Sequence, residues 1–148
     1  MSTRDALPYD VTLLVRDACL CLHAQRAARA LARRYDAALR PVGLTNGQFS
    51  LLMSLNRPEP PAMGAVAALL GMDRTTLTAM LKALERRRLV KVAPDAADRR
   101  SRRLVLTEAG RAKLAAAIPA WHAAQRETAA LLGEGDPERL RADLRALG

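Results

Sequence analysis

From Val11 to Leu39 the chain contains no Gly or Pro, and its apolar residues recur at helical spacing along two stripes. Leu14, Ala18, Cys21, Ala28, Ala32, Tyr35 and Leu39 form one stripe; Leu13, Leu20, Ala24, Ala27, Leu31 and Ala38 form the other. The pattern predicts one long helix. Its wide apolar arc needs two partners, which we read as the chain's own core and a second subunit. Pro41-Val42-Gly43 then breaks the chain, and Thr45 reads as the cap of a second helix that ends at the turn-forming cluster Asn56 to Pro61.

The middle third carries the clearest pattern. Ala62 to Leu70 reads as a short apolar helix, Gly71-Met72 as a tight turn, and Asp73 as the cap of a third helix running to about Arg88. In that helix Leu77, Met80, Leu81 and Leu84 fall at i, i+3, i+4 and i+7 and form the face expected to be buried. At 100° per residue Thr75, Ala79, Lys82 and Arg86 point the other way. Leu89 to Ala93 and Arg103 to Thr107 then read as strands, joined by a turn-rich segment with a basic tip. Thr107 is placed to cap a helix from Glu108 toward Leu132, kinked at Pro119, and Gly133, Gly135 and Pro137 set off a last helix from Glu138 to Leu147.

Composition narrows the function classes. The 148 residues are 50% hydrophobic but only 3% aromatic, so a core of Leu, Val, Ala and Met is expected, in one mainly helical domain. Lys plus Arg number 24 against 15 Asp plus Glu, a formal +9. The excess is concentrated: Arg74 to Lys113 holds twelve basic and four acidic residues, a net +8. This places the positive field on the third helix and the hairpin tip, where it suits a polyanion. No apolar run reaches the roughly 18 to 20 residues of a membrane span, and Met1 to Asp10 lacks an apolar signal region, so a cytoplasmic protein without membrane partners is expected. Cys19 and Cys21 are too few and too close for a disulfide framework or a four-ligand zinc site, and His23 and His122 lie far apart without partners at ligand spacing. Neither a metal nor a cofactor is expected, and no nucleophile elbow, phosphate loop or dinucleotide fingerprint points to an enzyme.

Four stretches carry a family resemblance: Leu44 to Leu52, Gly71 to Thr78, Leu84 to Val90 and Asp98 to Gly110. With them the chain, from about Val11 to Leu132, resembles the MarR family of winged helix-turn-helix transcription regulators. The resemblance implies a single domain over residues 1–148, with a DNA-binding lobe at about 44–106 and dimerisation helices at about 11–40 and 108–147. It implies a homodimeric repressor that binds a double-stranded, palindromic operator and is released by a small, often aromatic or phenolic, effector. Arg74, Thr75, Thr76, Thr78, Lys82 and Arg86 would then belong to the recognition helix, and Asp98, Arg99, Arg100, Ser101, Arg102 and Arg103 to the wing. Within this scheme Arg100 is the residue expected to enter a narrow minor groove. Asp98 is expected to pair with a wing arginine and fix the loop, and Arg86-Arg87-Arg88 to clamp phosphates. The rival reading, a nonspecific architectural binder, uses the same basic stripe.

An effector pocket walled by Leu20, Ala24, Phe49, Met53 and Trp121 is a candidate that plain core packing would match equally well. One branch of the family senses organic peroxides through a single cysteine in the first helix; its spacing lands on Cys21, with Tyr35 fourteen residues on. Against a redox role, Asn46 stands where that branch has a second tyrosine, and no cation adjoins Cys21 on its helix face. Core packing is therefore the expected role of Cys21, with peroxide sensing as the alternative. On a continuous helix Cys19 and Cys21 lie about 200° apart and cannot bridge.

Overall fold

The computed structural model describes residues 7–148. By internal contacts the chain divides into two compact units, one ending at Arg34 and one spanning Tyr35–Gly148.

In the first unit the expected continuous helix is interrupted. Helix α1 (Tyr9–Ala18) stops at Cys19, and α2 (Leu20–Leu39) begins directly after it. Cys19 has φ −71° and ψ 109°, an extended conformation, although neither Gly nor Pro is near. The sulfur takes the role of a cap. Leu22 N–H donates to Cys19 Sγ at 3.4 Å, the place in the first turn where a Ser or Asp oxygen would ordinarily accept. Helical periodicity persists on both sides of such a one-residue break, so the spacing alone did not reveal it. No residue of α1 is buried, and Leu14, Val15 and Leu20 are exposed.

The second unit holds the core. A 3₁₀ turn (Arg40–Val42) leads to α3 (Asn46–Leu55), which opens at the expected cap, Thr45, in a full capping box: Gln48 N–H donates to Thr45 Oγ1, and Thr45 N–H to Gln48 Oε1. Helix α4 (Met63–Leu70) ends at Gly71, whose φ of 62° a glycine adopts without cost. Then follow α5 (Arg74–Arg86) and the antiparallel hairpin β1 (Val90–Pro94) and β2 (Arg102–Leu106), in which Val90 pairs with Leu106 and Pro94 with Arg102. An isolated bridge from Ala62 to Arg103, with Leu104 N–H donating to Pro61 O, lays a third chain segment against β2. Leu39, Leu51, Leu52, Val66, Leu77, Leu81, Leu84 and Leu104 are almost fully enclosed and form the centre of the core. Met80, expected among them, is half-buried at its edge.

Helix α6 (Glu108–Ala130) runs through Pro119 without interruption. The carbonyl that Pro119 leaves unpartnered belongs to Ala115, which is exposed and can turn to water. Helix α7 (Pro137–Leu147) has no buried residue, and Leu140, Leu144 and Leu147 are exposed.

Helix α5 ends at Arg86, two residues short of the expected Arg88. Arg88 N–H bonds Glu85 O and Leu89 N–H bonds Leu84 O, which is a Schellman closure with Arg88 at the left-handed position, φ 59°. The equivalent closure of α4 uses Gly71. A side chain in this conformation costs about 1 to 2 kcal/mol. Replacing Arg88 by glycine is therefore expected to raise stability by about 1 kcal/mol, after part of the gain is lost to the freer unfolded chain; a urea midpoint at or below that of the parent protein would contradict it.

Candidate nucleic-acid interface

Helix α5 presents two chemically opposite faces. Leu77, Leu81 and Leu84 are buried, and Thr75, Ala79, Lys82 and Arg86 are exposed, as the spacing predicts. Its start is fixed by Asp73. Thr76 N–H donates to Asp73 Oδ1 at 2.7 Å and Thr76 Oγ1 to Asp73 Oδ2 at 2.9 Å. The Thr76 hydroxyl proton is thus engaged by the cap, and Thr78 Oγ1 donates to Arg74 O at 2.7 Å. Both hydroxyls keep only acceptor capacity for a partner. Thr75 and Arg74 are exposed on the first turn.

These donated bonds, from the Thr76 backbone first, hold the Asp73 carboxyl below the usual carboxylate range. A depressed folded-state pKa means that Asp73 contributes stability above its unfolded value, near 4, and that this contribution is lost as pH falls through the lower folded one. The stability difference between the parent protein and Asp73→Asn, which keeps the cap but cannot ionise, should be constant at neutral pH and disappear in acid. Denaturant titrations showing the same difference throughout would refute this.

The hairpin tip departs from expectation in its partners. Arg103 Nε pairs with Asp95 Oδ2 at 2.9 Å, and Arg103 Nη1 donates to Pro60 O at 3.2 Å. Asp95, not Asp98, is the carboxylate that ties down a wing arginine. Asp98 instead accepts the Arg100 N–H at 3.0 Å, a local turn bond that sets the bend of the tip. The Ala97 N–H and, after it, the Arg103 charge draw the Asp95 carboxyl below its ordinary range. Arg103 lies at the second strand's start, where alternation along β2 gave no sign of its anchoring. The eight-residue separation of Asp95 and Arg103 becomes contact only through the hairpin register.

Several other basic residues are committed to the fold. Arg111 Nη1 donates to Asn56 Oδ1 at 2.9 Å, and Arg87 Nη1 to Gln48 Oε1 at 3.4 Å. The ion pairs among the described residues, Arg16–Asp17, Arg103–Asp95, Arg111–Glu108 and Arg139–Asp143, leave Lys82, Arg86, Arg99, Arg100 and Arg102 unmatched and exposed. Ser101 is half-buried, with its N–H donated to Asp98 O. Two prominences, the polar face of α5 and the tip at Arg99 and Arg100, therefore carry uncompensated positive charge on one lobe. A helix and a neighbouring loop of this kind can meet a duplex together.

A profile of the MarR family matches residues 42–101. The HTH-type transcriptional repressor NicR of Pseudomonas putida is 35% identical over 117 residues, 78% of this chain and 70% of that protein. The chain belongs to the MarR family. A solved structure of the M. tuberculosis transcriptional regulator MosR in complex with DNA superposes with a TM-score of 0.79 at 44% identity, covering 87% of this chain and 92% of that one. The transcriptional activatory protein BadR of Rhodopseudomonas palustris is 35% identical over 89 residues, and there the match spans about half of the relative's length, 51%. MarR proteins are regulators of transcription, not enzymes, and this MarR chain has their mainly helical architecture with a two-stranded wing.

The remaining candidate residues of this MarR protein divide between the two units. Phe49, Met53 and Trp121 line a cavity of about 380 Å³ with Leu69, Leu70 and Ile118. The Phe49 and Trp121 rings stack with centroids 6.3 Å apart at 18°. Leu20 and Ala24 are exposed residues of the N-terminal unit and are not among that cavity's walls. Cys21, expected in a core, is exposed; Gln25 Nε2 donates to its sulfur at 3.4 Å. The Tyr35 hydroxyl donates to Gln125 Oε1 within the second unit. Asn46, at the position of the peroxide branch's second tyrosine, donates both N–H and Nδ2 to Asp36 Oδ1 at 2.7 and 2.8 Å, so its work here is to anchor the start of α3. No cluster of His, Cys, Asp and Glu suited to a metal occurs, and no helix is long and apolar enough to cross a membrane, among the described residues.

Proposed function

We propose that this chain is a homodimeric repressor that reads a palindromic operator with α5 in the major groove and the wing tip in the adjoining minor groove. The observation that carries the reading is the pairing of an uncompensated polar face on α5 with an uncompensated basic tip at Arg99 and Arg100. Arg74, Thr75, Thr76, Thr78, Lys82 and Arg86 act on the helix. Arg99, Arg100 and Arg102 act on the wing, while Asp98, Ser101 and Arg103 shape it. Dimerisation is supported separately in each unit by helices without a buried residue, α1 in the first and α7 in the second, whose apolar faces need a partner.

Release by a small aromatic effector is supported by the cavity beside the stacked Phe49 and Trp121. Its volume falls within the range of small-molecule sites, and its walls are mainly apolar, with Ser50 and Ser54 as the polar members. An effector that binds better to a dimer with wrongly spaced recognition helices draws it off DNA by that affinity difference alone. Footprinting on the DNA flanking the gene, with light scattering in parallel, tests the reading. Protection of two half-sites about one helical turn apart by a dimer supports it. Uniform protection regardless of sequence would favour an architectural binder, and a stable monomer at micromolar concentration would remove the dimer.

A further inference from the structure

Cations from three parts of the second unit meet beside Gly43. A Cβ placed on Gly43 would stand 3.4 Å from Arg87 Nη2 and 3.8 Å from Lys113 Nζ, so these two charges lie no farther apart than the sum of those distances. Gly43 and Arg40 are both walls of a cleft of about 290 Å³, with Asp36, Leu44, Thr45 and Gln48. Arg40 belongs to the 3₁₀ turn, Arg87 follows the last residue of α5 and Lys113 lies in the second turn of α6, so only the fold brings them together. Like charges at this spacing stand inside the roughly 8 to 10 Å over which salt screens them. Their approach is unfavourable unless an anion lies between them.

The carboxylate of the cleft does not supply that anion. Asp36 Oδ1 accepts from Asn46 N–H at 2.7 Å and from Asn46 Nδ2 at 2.8 Å. The ion pairs among the described residues include none of Arg40, Arg87 and Lys113. The start of α3 makes no demand for an anion either, because the N–H groups of Thr45, Asn46 and Gln48 are met by Gln48, Asp36 and Thr45 in turn. What remains is the donor capacity of the cations. Gln48 Oε1 holds Arg87 Nη1 at 3.4 Å and leaves Nη2 turned toward Gly43. Lys113 is half-buried, with its ammonium over the same turn, and Gly43, at φ 75°, raises no side chain between the two.

We infer that this cleft binds a doubly charged phosphate group, free or carried as a monoester by a small compound, between Arg87 and Lys113 with Arg40 at its edge. Two cations that donate at about 2.8 Å to different oxygens of one tetrahedral phosphate stand about 5 to 7 Å apart, which fits the limit set at Gly43. Three cations less the Asp36 carboxylate leave two positive charges. A phosphate monoester, with about 1.5 to 2 negative charges at neutral pH, matches that excess, whereas a carboxylate or a single phosphodiester of a duplex brings only one. The guanidinium supplies a planar fork and the ammonium a point charge, so the two grip different oxygens.

The test is calorimetric titration of the full-length protein, in a buffer free of phosphate and sulfate, with inorganic phosphate and in parallel with glycerol 3-phosphate. The expected result is saturable binding of one phosphate per chain, weakened about fivefold or more by Arg87→Gln and by Lys113→Gln and kept within about twofold by Lys113→Arg. Arg57→Gln, which removes an exposed charge beyond the far end of α3, should leave the affinity unchanged. Glycerol 3-phosphate binding at least as tightly as inorganic phosphate assigns the cleft to an esterified compound, and tighter binding of the inorganic ion assigns it to free phosphate. No saturation at millimolar phosphate, or equal weakening by Arg57→Gln, would overturn the inference, because general attraction to a basic protein would then account for any binding. A salt slope of operator binding lowered by about one in Lys113→Gln would overturn it too, because the cations would then serve the DNA backbone. The titration uses the protein alone, so a chain that binds no operator removes the proposed function and leaves the phosphate site to be decided separately.

Discussion

Replacing Gly110 by alanine is expected to destabilise the protein by about 3 kcal/mol or more, enough to lower the thermal midpoint by on the order of 10 °C. Gly110 is the third residue of α6, where alanine would ordinarily gain about 1 kcal/mol as the better helix former. The neighbourhood reverses that sign. A Cβ at Gly110 would stand 2.1 Å from Leu89 O and 2.7 Å from Leu106 Cδ1. The first is backbone at the root of the wing and cannot swing aside as a flexible side chain would. The start of α6 would have to lift away, straining the Thr107 cap, in which Gly110 N–H donates to Thr107 Oγ1 and that hydroxyl donates to Arg88 O. Gly64 provides the control. It lies in α4 and is exposed, and an added Cβ would meet only the far end of the Arg74 side chain, at 3.6 Å. Gly64→Ala should therefore raise stability by about 0.5 to 1 kcal/mol. Equal effects of the two substitutions in urea or thermal unfolding would show that close packing at the wing root does not govern the site.

What the sequence disclosed and what it concealed follow a physical division. Periodicity depends on which side of an element meets the core, so the buried leucines of α5 and the exposed Thr75, Lys82 and Arg86 were legible. Local capping depends on three or four successive residues, so the caps Thr45, Asp73 and Thr107 were legible too. Contacts closed by tertiary register were not. Asp95 and Asp98 carry the same side chain in the same turn-rich segment, and only the strand pairing decides that Asp95 meets Arg103. The break at Cys19 lay beyond reach for a different reason: a single extended residue leaves the apolar stripes nearly in phase, and a thiol is rarely read as a cap. Arg88 shows a third kind of concealment, because the left-handed closure of a helix announces itself in sequence only when glycine fills it.

Removing the Arg100 side chain should separate affinity from base choice. Arg100 is exposed at the wing tip, and its backbone N–H is held by Asp98, so the loop presents the guanidinium from a fixed base without using it in the fold. Arg100→Ala should weaken operator binding by about 1 to 3 kcal/mol and reduce the slope of log K against log salt by about one. It should do so nearly equally on operators differing only in the major-groove half-sites, because a minor-groove arginine responds to width and potential more than to individual base edges. Thr75 differs on each count. It is uncharged and exposed on the first turn of α5, so Thr75→Ala should leave the salt slope unchanged and shift which base is preferred at one half-site position. Arg103→Ala distinguishes the wing's shape from its charge. Losing the bonds to Asp95 and Pro60 O should lower thermal stability as well as affinity, whereas Arg100→Ala should leave the thermal midpoint unchanged. The measurements are fluorescence anisotropy over a salt series on the operator and its single-base variants, with thermal unfolding alongside. The assignment fails if Arg100→Ala changes base preference while Thr75→Ala changes the salt slope, because the helix and the wing would then have exchanged roles.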